Sequence, residues 1–188
     1  MKARGILVKD KQNIMVRAVF PGTFDPIHYG HMDIAQRAAR LFDEVIVAVY
    51  DKPLKSLLFT PEERISLVRK SFDGVSKIKV VGYSGLTVEF CQAINAQVIV
   101  RGLRVFSDFE YEFRMGLANH RLAPDIEVVA LITAEEHTFL SSTTVREIAS
   151  LNGDVSSMVP PHVEEALKTR FSELGEHQQV VPTTSLRD

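Results

Sequence analysis

The sequence predicts an α/β fold: a doubly wound, parallel, five-stranded sheet followed by C-terminal helices. Three observations predict it. Short β-branched runs alternate with segments of helical spacing from Met15 to Thr133. One of those runs, Glu44 to Tyr50 (E-V-I-V-A-V-Y), is almost uniformly apolar, as a strand covered on both faces must be. Beyond Thr133 the periodicity is helical only.

The first strand is Met15 to Phe20, with Pro21-Gly22 as its expected stop. A helix follows, beginning near His28 to His31 and burying Ile34, Ala35, Ala38, Leu41 and Phe42, which repeat at helical spacing. The run Glu44 to Tyr50 is the second strand. Thr60-Pro61-Glu62-Glu63 then supplies a capping hydroxyl, a proline at the first helical position and an acid three residues after the cap, which predicts a helix to about Phe72. Lys77 to Tyr83 reads as the third strand, Thr87 to Asn95 as a helix, and Ala96 to Val100 as a fourth strand halted at Arg101-Gly102. Ser107 to about Leu122 is helical with Phe109, Phe113 and Leu117 on one face, and Ile126 to Thr133 is the fifth strand. Two helices, about Thr144 to Leu151 and Val163 to Phe171, close the chain.

The 188 residues suit one domain of ordinary size. Its expected limits are 15–174, with residues 1–14 as an N-terminal extension and 175–188 as a frayed tail. A formal net charge of −2 gives no excess of positive charge of the kind that marks a nucleic-acid binder. No apolar run approaches the roughly 20 residues needed to cross a bilayer, and the first residues lack the order of a secretory signal, so a cytoplasmic protein with no membrane partner is expected. The single cysteine, Cys91, allows no internal disulfide and sits in an apolar run as a core thiol.

Ligands of doubly wound sheets sit beyond the carboxyl ends of the strands where the strand order reverses. Two strand ends stand out. The first leads through Gly22-Thr23-Phe24-Asp25-Pro26 to His28-Tyr29-Gly30-His31; the second is Arg101-Gly102-Leu103-Arg104. In a two-halved sheet the first strands of the halves are neighbours, which brings these ends together. At the first, a glycine between two imidazoles at a helix start allows close approach of a phosphate to backbone N–H groups. The plain alternative is a chance pair of surface histidines. Asp25, before proline, reads as a turn-former through its own backbone hydrogen bonds. At the second, two guanidiniums match phosphate bidentately, or else make ordinary ion pairs with Asp108 and Glu112. Ser141-Ser142-Thr143-Thr144 clusters four hydroxyls at a helix start, where Thr144 and Glu147 fit a capping box; capping accounts for one hydroxyl and four invite a second anion. Lys55, in a loop, has no role assignable from residues alone.

There is no P-loop, no dinucleotide-binding glycine fingerprint, no zinc spacing and no nucleophile elbow. What remains is a phosphate-handling pocket of histidine, arginine, lysine, hydroxyls and helix N-termini. Such a pocket suits direct phosphoryl or nucleotidyl transfer, in which the protein positions and stabilises charge.

The runs P-G-T-F-D-P-I-H-Y-G-H, K-P-L-K-S-L-L-F-T-P-E-E-R, V-I-V-R-G-L-R-V-F-S-D-F-E-Y-E-F and S-S-T-T-V-R-E agree in order and spacing with one family. From Val16 to about Phe171 the chain resembles the pantetheine-phosphate adenylyltransferases, members of the H-x-G-H nucleotidyltransferase superfamily with its Rossmann-like fold. The resemblance implies transfer of the adenylyl group of ATP to 4′-phosphopantetheine, giving 3′-dephospho-CoA and pyrophosphate. It implies that His31 stabilises the transition state at the α-phosphorus and that Thr23 orients the attacking phosphate. Lys55, Thr87 and Arg101 fall on positions that contact phosphopantetheine. Phe24, Gly102, Leu103, Arg104, Glu112 and the run His137, Thr138, Phe139, Leu140, Ser141, Ser142 and Thr143 fall on ATP positions. Mg²⁺ would travel with the nucleotide phosphates, CoA is a possible feedback ligand, and the family is typically a cytoplasmic homohexamer, which gives the helix bearing Phe109 and Phe113 an interface role. His28 stands where this family more often has threonine, and His137 where it often has a larger ring. The first stretch also resembles nicotinate-mononucleotide adenylyltransferases, which usually carry both histidines, but Pro21 and the R-G-L-R-V-F-S-D-F-E-Y-E run favour the pantetheine family. A nucleotide- or CoA-sensing module without turnover is a third reading; retention of Thr23, His31, Lys55, Arg101 and Arg104 counts against it.

Overall fold

The computed structural model describes residues 15–52 and 56–176. Strand β1 (Arg17–Gly22) leads into helix α1 (Tyr29–Leu41), β2 (Glu44–Tyr50), α2 (Pro61–Ser71), β3 (Ile78–Tyr83), α3 (Thr87–Ala93), β4 (Val98–Leu103), α4 (Phe106–Leu122), β5 (Glu127–Ile132), a 3₁₀ turn (Glu135–His137), α5 (Ser142–Ser150) and α6 (Pro161–Glu176). All pairings are parallel and the strand order is β3-β2-β1-β4-β5, so β1 and β4, the first strands of the two halves, are neighbours at the switch point as expected.

Both faces of the sheet are covered. One core gathers Phe20, Val45, Val47, Val49 and Val100 with α1, α2, α5 and α6; the other gathers Val19, Ile46, Ala48 and Ile99 with Val88 and Cys91 of α3. Alternate residues of β1 and β2 therefore enter different cores, which explains why these strands are apolar without a break. Cys91 is fully buried, and burial pushes its thiol up to about 11, the inert core thiol expected.

Several boundaries differ from the sequence expectation, each for a physical reason. β1 does not stop at Pro21-Gly22 but runs through them, paired to Ala48 and Val49. Proline is tolerated because β1 pairs with β4 only at Ala18–Val98 and Val19–Ile99; past Val19 no ladder bond on that side is lost. Likewise β4 runs on through Arg101 and Gly102 to Leu103, because β5 keeps pairing as far as Ile132. The two central strands thus hold six-residue ladders with their outer neighbours and only a two-residue ladder with each other, and the crevice opens between them. α6 continues five residues beyond Phe171, to Glu176. On α4, Phe109, Phe113 and Leu117 do share a face, but that face is exposed, between 49% and 57%.

Candidate active site

α1 begins in an unusual capping box made of two histidines. His28 is the N-cap; its Nδ1 accepts from the His31 backbone N–H at 3.4 Å, and its own N–H donates to His31 Nδ1 at 3.3 Å. The rings stack with centroids 3.6 Å apart and 21° between planes. A ring nitrogen that accepts a hydrogen bond carries no proton, so both rings hold their N–H at Nε2. H-x-G-H is thus a cap and an orienting device in one motif.

Gly30 makes room for this stack: a Cβ there would lie 3.1 Å from the His28 ring and 3.5 Å from His137 Cβ. The space that Gly30 leaves is occupied by the imidazole stack. Phe24, just upstream, has φ 51°, a left-handed conformation costly for a residue with a side chain. Its buried ring meets His31 edge-on at 5.0 Å and lies where a Gly22 side chain would be, 2.8 Å from an added Cβ.

His28 is buried at 3% exposure, and its pKa is lowered well below 6.5, first by burial and then by His31, Arg104 and His137. The native ring is neutral while the unfolded ring protonates. The stability that follows is full above about pH 6.5 and is lost as pH falls below it, by up to about 1.4 kcal/mol per pH unit. His28→Asn is expected to flatten this acid limb; urea unfolding at about pH 7.5 and about pH 5.5 measures it.

Asp25 is not a self-contained turn-former. It is 1% exposed; its carboxylate accepts from the N–H groups of Leu58 (2.9 Å) and Phe59 (3.0 Å) and pairs with Arg146 of α5. All its partners are remote in sequence, so its local context could not show them. Arg64, fully buried, is a second residue that sequence reasoning missed. It donates to the carbonyls of Thr23 and Tyr50 (both 2.7 Å), Phe59 (3.3 Å) and Asp51 (3.4 Å), tying the ends of β1 and β2 to α2. A basic residue in the apolar register of a helix was its only signal.

The ion-pair reading of the arginine pair holds. Arg101 donates Nε and Nη2 to Glu112 at 2.7 and 2.6 Å and Nη1 to the Pro21 carbonyl at 3.0 Å. Burial disfavours its charge, but Glu112 more than offsets this and holds the pKa above the usual guanidinium value. Arg104 bonds Asp108 at 3.1 and 3.4 Å and reaches the Leu140 carbonyl at 2.7 Å. The carboxylates of α4 therefore orient both guanidiniums against the strand-one corner and the segment entering α5. Gly102 admits Ile34 of α1, 3.2 Å from an added Cβ, and Leu103 ends β4.

The cap of α5 is Ser141, not the expected Thr144. Ser141 Oγ accepts from the Thr144 N–H at 3.0 Å, so the helix starts at Ser142, two residues early, and Thr144 is already inside it. Three hydroxyls have structural partners: Ser141 and Thr144 bond each other at 2.9 Å, and Ser142 donates to the Pro26 carbonyl at 2.9 Å. Thr143 shares the same first turn. Thr138 Oγ1 bonds the Ala134 carbonyl at 3.3 Å, Phe139 is exposed and Leu140 is buried.

Phe24 meets His31, His137 borders Gly30, Arg101 reaches the Pro21 carbonyl just before Thr23, and Arg104 reaches Leu140 just ahead of α5, so these residues gather at the carboxyl end of β1. Thr87 lies at the start of α3, its hydroxyl 3.0 Å from that of Tyr83. Lys55 lies outside the described residues.

Two helix N-termini and two oriented guanidiniums meet at the switch point of a parallel sheet, an arrangement whose positive potential suits an anion such as a phosphate chain. The sequence profile of the cytidylyltransferase-like family matches residues 19–148, and with the fold this gives the class, a nucleotidyltransferase. A phosphopantetheine adenylyltransferase of Roseiflexus sp. (strain RS-1) is 53% identical over 157 residues, which is 84% of this chain and 98% of that protein. One from Herpetosiphon aurantiacus is 50% identical over 84% of this chain and 95% of its own length. The chain belongs to the phosphopantetheine adenylyltransferase family. A solved structure from Vibrio parahaemolyticus, bearing the name of a nicotinate-nucleotide adenylyltransferase, matches with a TM-score of 0.63 at 23% identity, covering 82% of this chain and 99% of that one, and shares the fold.

Proposed function

We propose that this chain transfers the adenylyl group of ATP to 4′-phosphopantetheine, releasing pyrophosphate and forming 3′-dephospho-CoA. The observation that carries the reading is the identity of about half with phosphopantetheine adenylyltransferases across nearly their whole length. An oxygen of the acceptor phosphate attacks the α-phosphorus, the bond to the bridging oxygen breaks, and the electron pair leaves on pyrophosphate. No covalent nucleophile on the protein is required. His31 Nε2–H donates to the α-phosphoryl oxygen as charge builds there, Thr23 orients the attacking phosphate, and the N-terminus of α5 with Thr143 and Arg104 takes the leaving phosphates. Arg101 and Thr87 line the acceptor's side, and Lys55 is proposed there with them.

Among the described residues no group of three or more potential ligands could hold a metal ion. Mg²⁺ is proposed from the family to enter as the counter-ion of the nucleotide phosphates, part of the substrate. The exposed apolar face of α4, with Phe109, Phe113 and Leu117, is where further copies of the chain would pack in the hexamer proposed from the family. CoA, which shares the pantetheine arm of the acceptor, is proposed as a feedback ligand of this pocket. Among the described residues no helix is long and apolar enough to cross a membrane, and a cytoplasmic location is proposed.

Incubation with Mg·ATP and either phosphopantetheine or nicotinate mononucleotide, read by pyrophosphate release, tests the reaction. Release is expected with phosphopantetheine only. Release with the mononucleotide alone would overturn the acceptor, and silence with both would overturn the enzyme.

A further inference from the structure

Every backbone polar group of the Leu58–Phe59 dipeptide is held by a charged side chain from elsewhere. The two N–H groups go to Asp25, the Leu58 carbonyl to Arg170 of α6 at 2.9 Å, and the Phe59 carbonyl to Arg64 of α2. Arg170 also lies 5.3 Å above the Phe59 ring. Both residues of the dipeptide are 4% exposed. The Asp25 oxygen that accepts from Leu58, Oδ2, also pairs with Arg146. One turn up the same face of α5, Ser142 grips the Pro26 carbonyl. Two contacts, four residues apart on α5, therefore clasp the Asp25-Pro26 turn from which α1 starts three residues later.

We infer that Asp25 and Arg146 are positioning residues for adenylyl transfer: their buried pair fixes the N-terminus of α5 relative to that of α1. The inference rests on the adenylyl-transfer reading above. The reacting phosphorus lies at one helix end and the leaving group at the other, so in-line geometry depends on how the two ends are set. The Asp25 carboxylate cannot touch a substrate, because it is 1% exposed and enclosed by Leu58, Phe59 and Arg146, and the Arg146 guanidinium is turned onto it. Loss of the pair leaves each end able to bind its own phosphate while displacing one from the other. Ground-state affinity should survive and the chemical step should suffer.

Asp25→Asn and Arg146→Met are each expected to lower kcat by about 10- to 100-fold, with KM for ATP changed less than about threefold. Arg146→Lys can still reach the single carboxylate oxygen that Arg146 contacts and is expected to recover most of the rate. Hydrogen exchange on the full chain should report lost protection at Leu58, Phe59 and the first turn of α5 in Asp25→Asn, with β1 and β2 unchanged. If Asp25→Asn fails to fold, the Arg146 pair of variants carries the test. A kcat within about threefold of the parent, a loss that falls equally on KM, a lysine variant no better than methionine, or unchanged exchange would each overturn the inference. A parent that releases no pyrophosphate overturns the adenylyl-transfer reading instead, and with it the catalytic role; the tie between the helices is then decided by exchange alone.

Discussion

His31→Ala is expected to slow adenylyl transfer by about 10²- to 10³-fold in kcat, roughly 3–4 kcal/mol of transition-state stabilisation, with ATP affinity much less affected. The expectation follows from the geometry of the histidine pair. His31 is held by the ring of His28 on one side and by the edge of Phe24 on another, so its Nε2–H is aimed before substrate arrives. A preorganised donor contributes most where charge appears only in the transition state. Single-turnover pyrophosphate release measures the effect, and a variant within about threefold of the parent would remove His31 from the chemistry. His31→Ala also deletes half of the capping box, but the His31 backbone N–H still reaches His28, so the helix start should persist.

Arg64→Ala is expected to destabilise the fold by about 3–5 kcal/mol. The guanidinium is completely buried, and the carbonyls of Thr23, Tyr50, Phe59 and Asp51 all depend on it. Each buried acceptor stripped of its donor costs about 1–3 kcal/mol, offset in part by water entering the space left behind. Desolvation lowers the pKa of Arg64, and the nearby charges of Asp25, Asp51 and Glu62 oppose that. Arg64→Lys carries a cation of similar reach but cannot fork to several carbonyls, so it should recover only part of the loss. Urea unfolding followed by circular dichroism decides the point; a midpoint within error of the parent would mean that these bonds add nothing net.

The alternation of strand and helix was legible because each element's period is local. The central place of β2 beside β1 follows from the apolar run Glu44 to Tyr50, which could only be buried on both faces. The neighbouring of β1 and β4 followed from the topology of two-halved sheets, and the H-x-G-H corner was visible because its parts are adjacent in sequence. What was not legible is long-range. Asp25 before proline has a cheap local explanation, and nothing nearby indicates that its partners are Leu58, Phe59 and Arg146. The start of α5 was misplaced because four successive hydroxyls offer competing caps, and packing of Ser142 on the Pro26 carbonyl selects among them. The continuation of β1 through Pro21-Gly22 depended on the gap left by β4, a property of the sheet and not of the dipeptide.

The clasp on the Asp25-Pro26 turn bears on the order in which the protein can form. Asp25 and Arg146 are 121 positions apart, and Pro26 and Ser142 are 116. Closing such distances costs chain entropy that no local contact returns, so the sheet's first βαβ unit can assemble well before these pairs do. A chain emerging from synthesis would present the histidine corner with its supports still missing until the segment past Arg146 had docked. The relative setting of the two helix ends, not the capacity of either end alone, is thus expected to form last and to be lost first when the final helices detach.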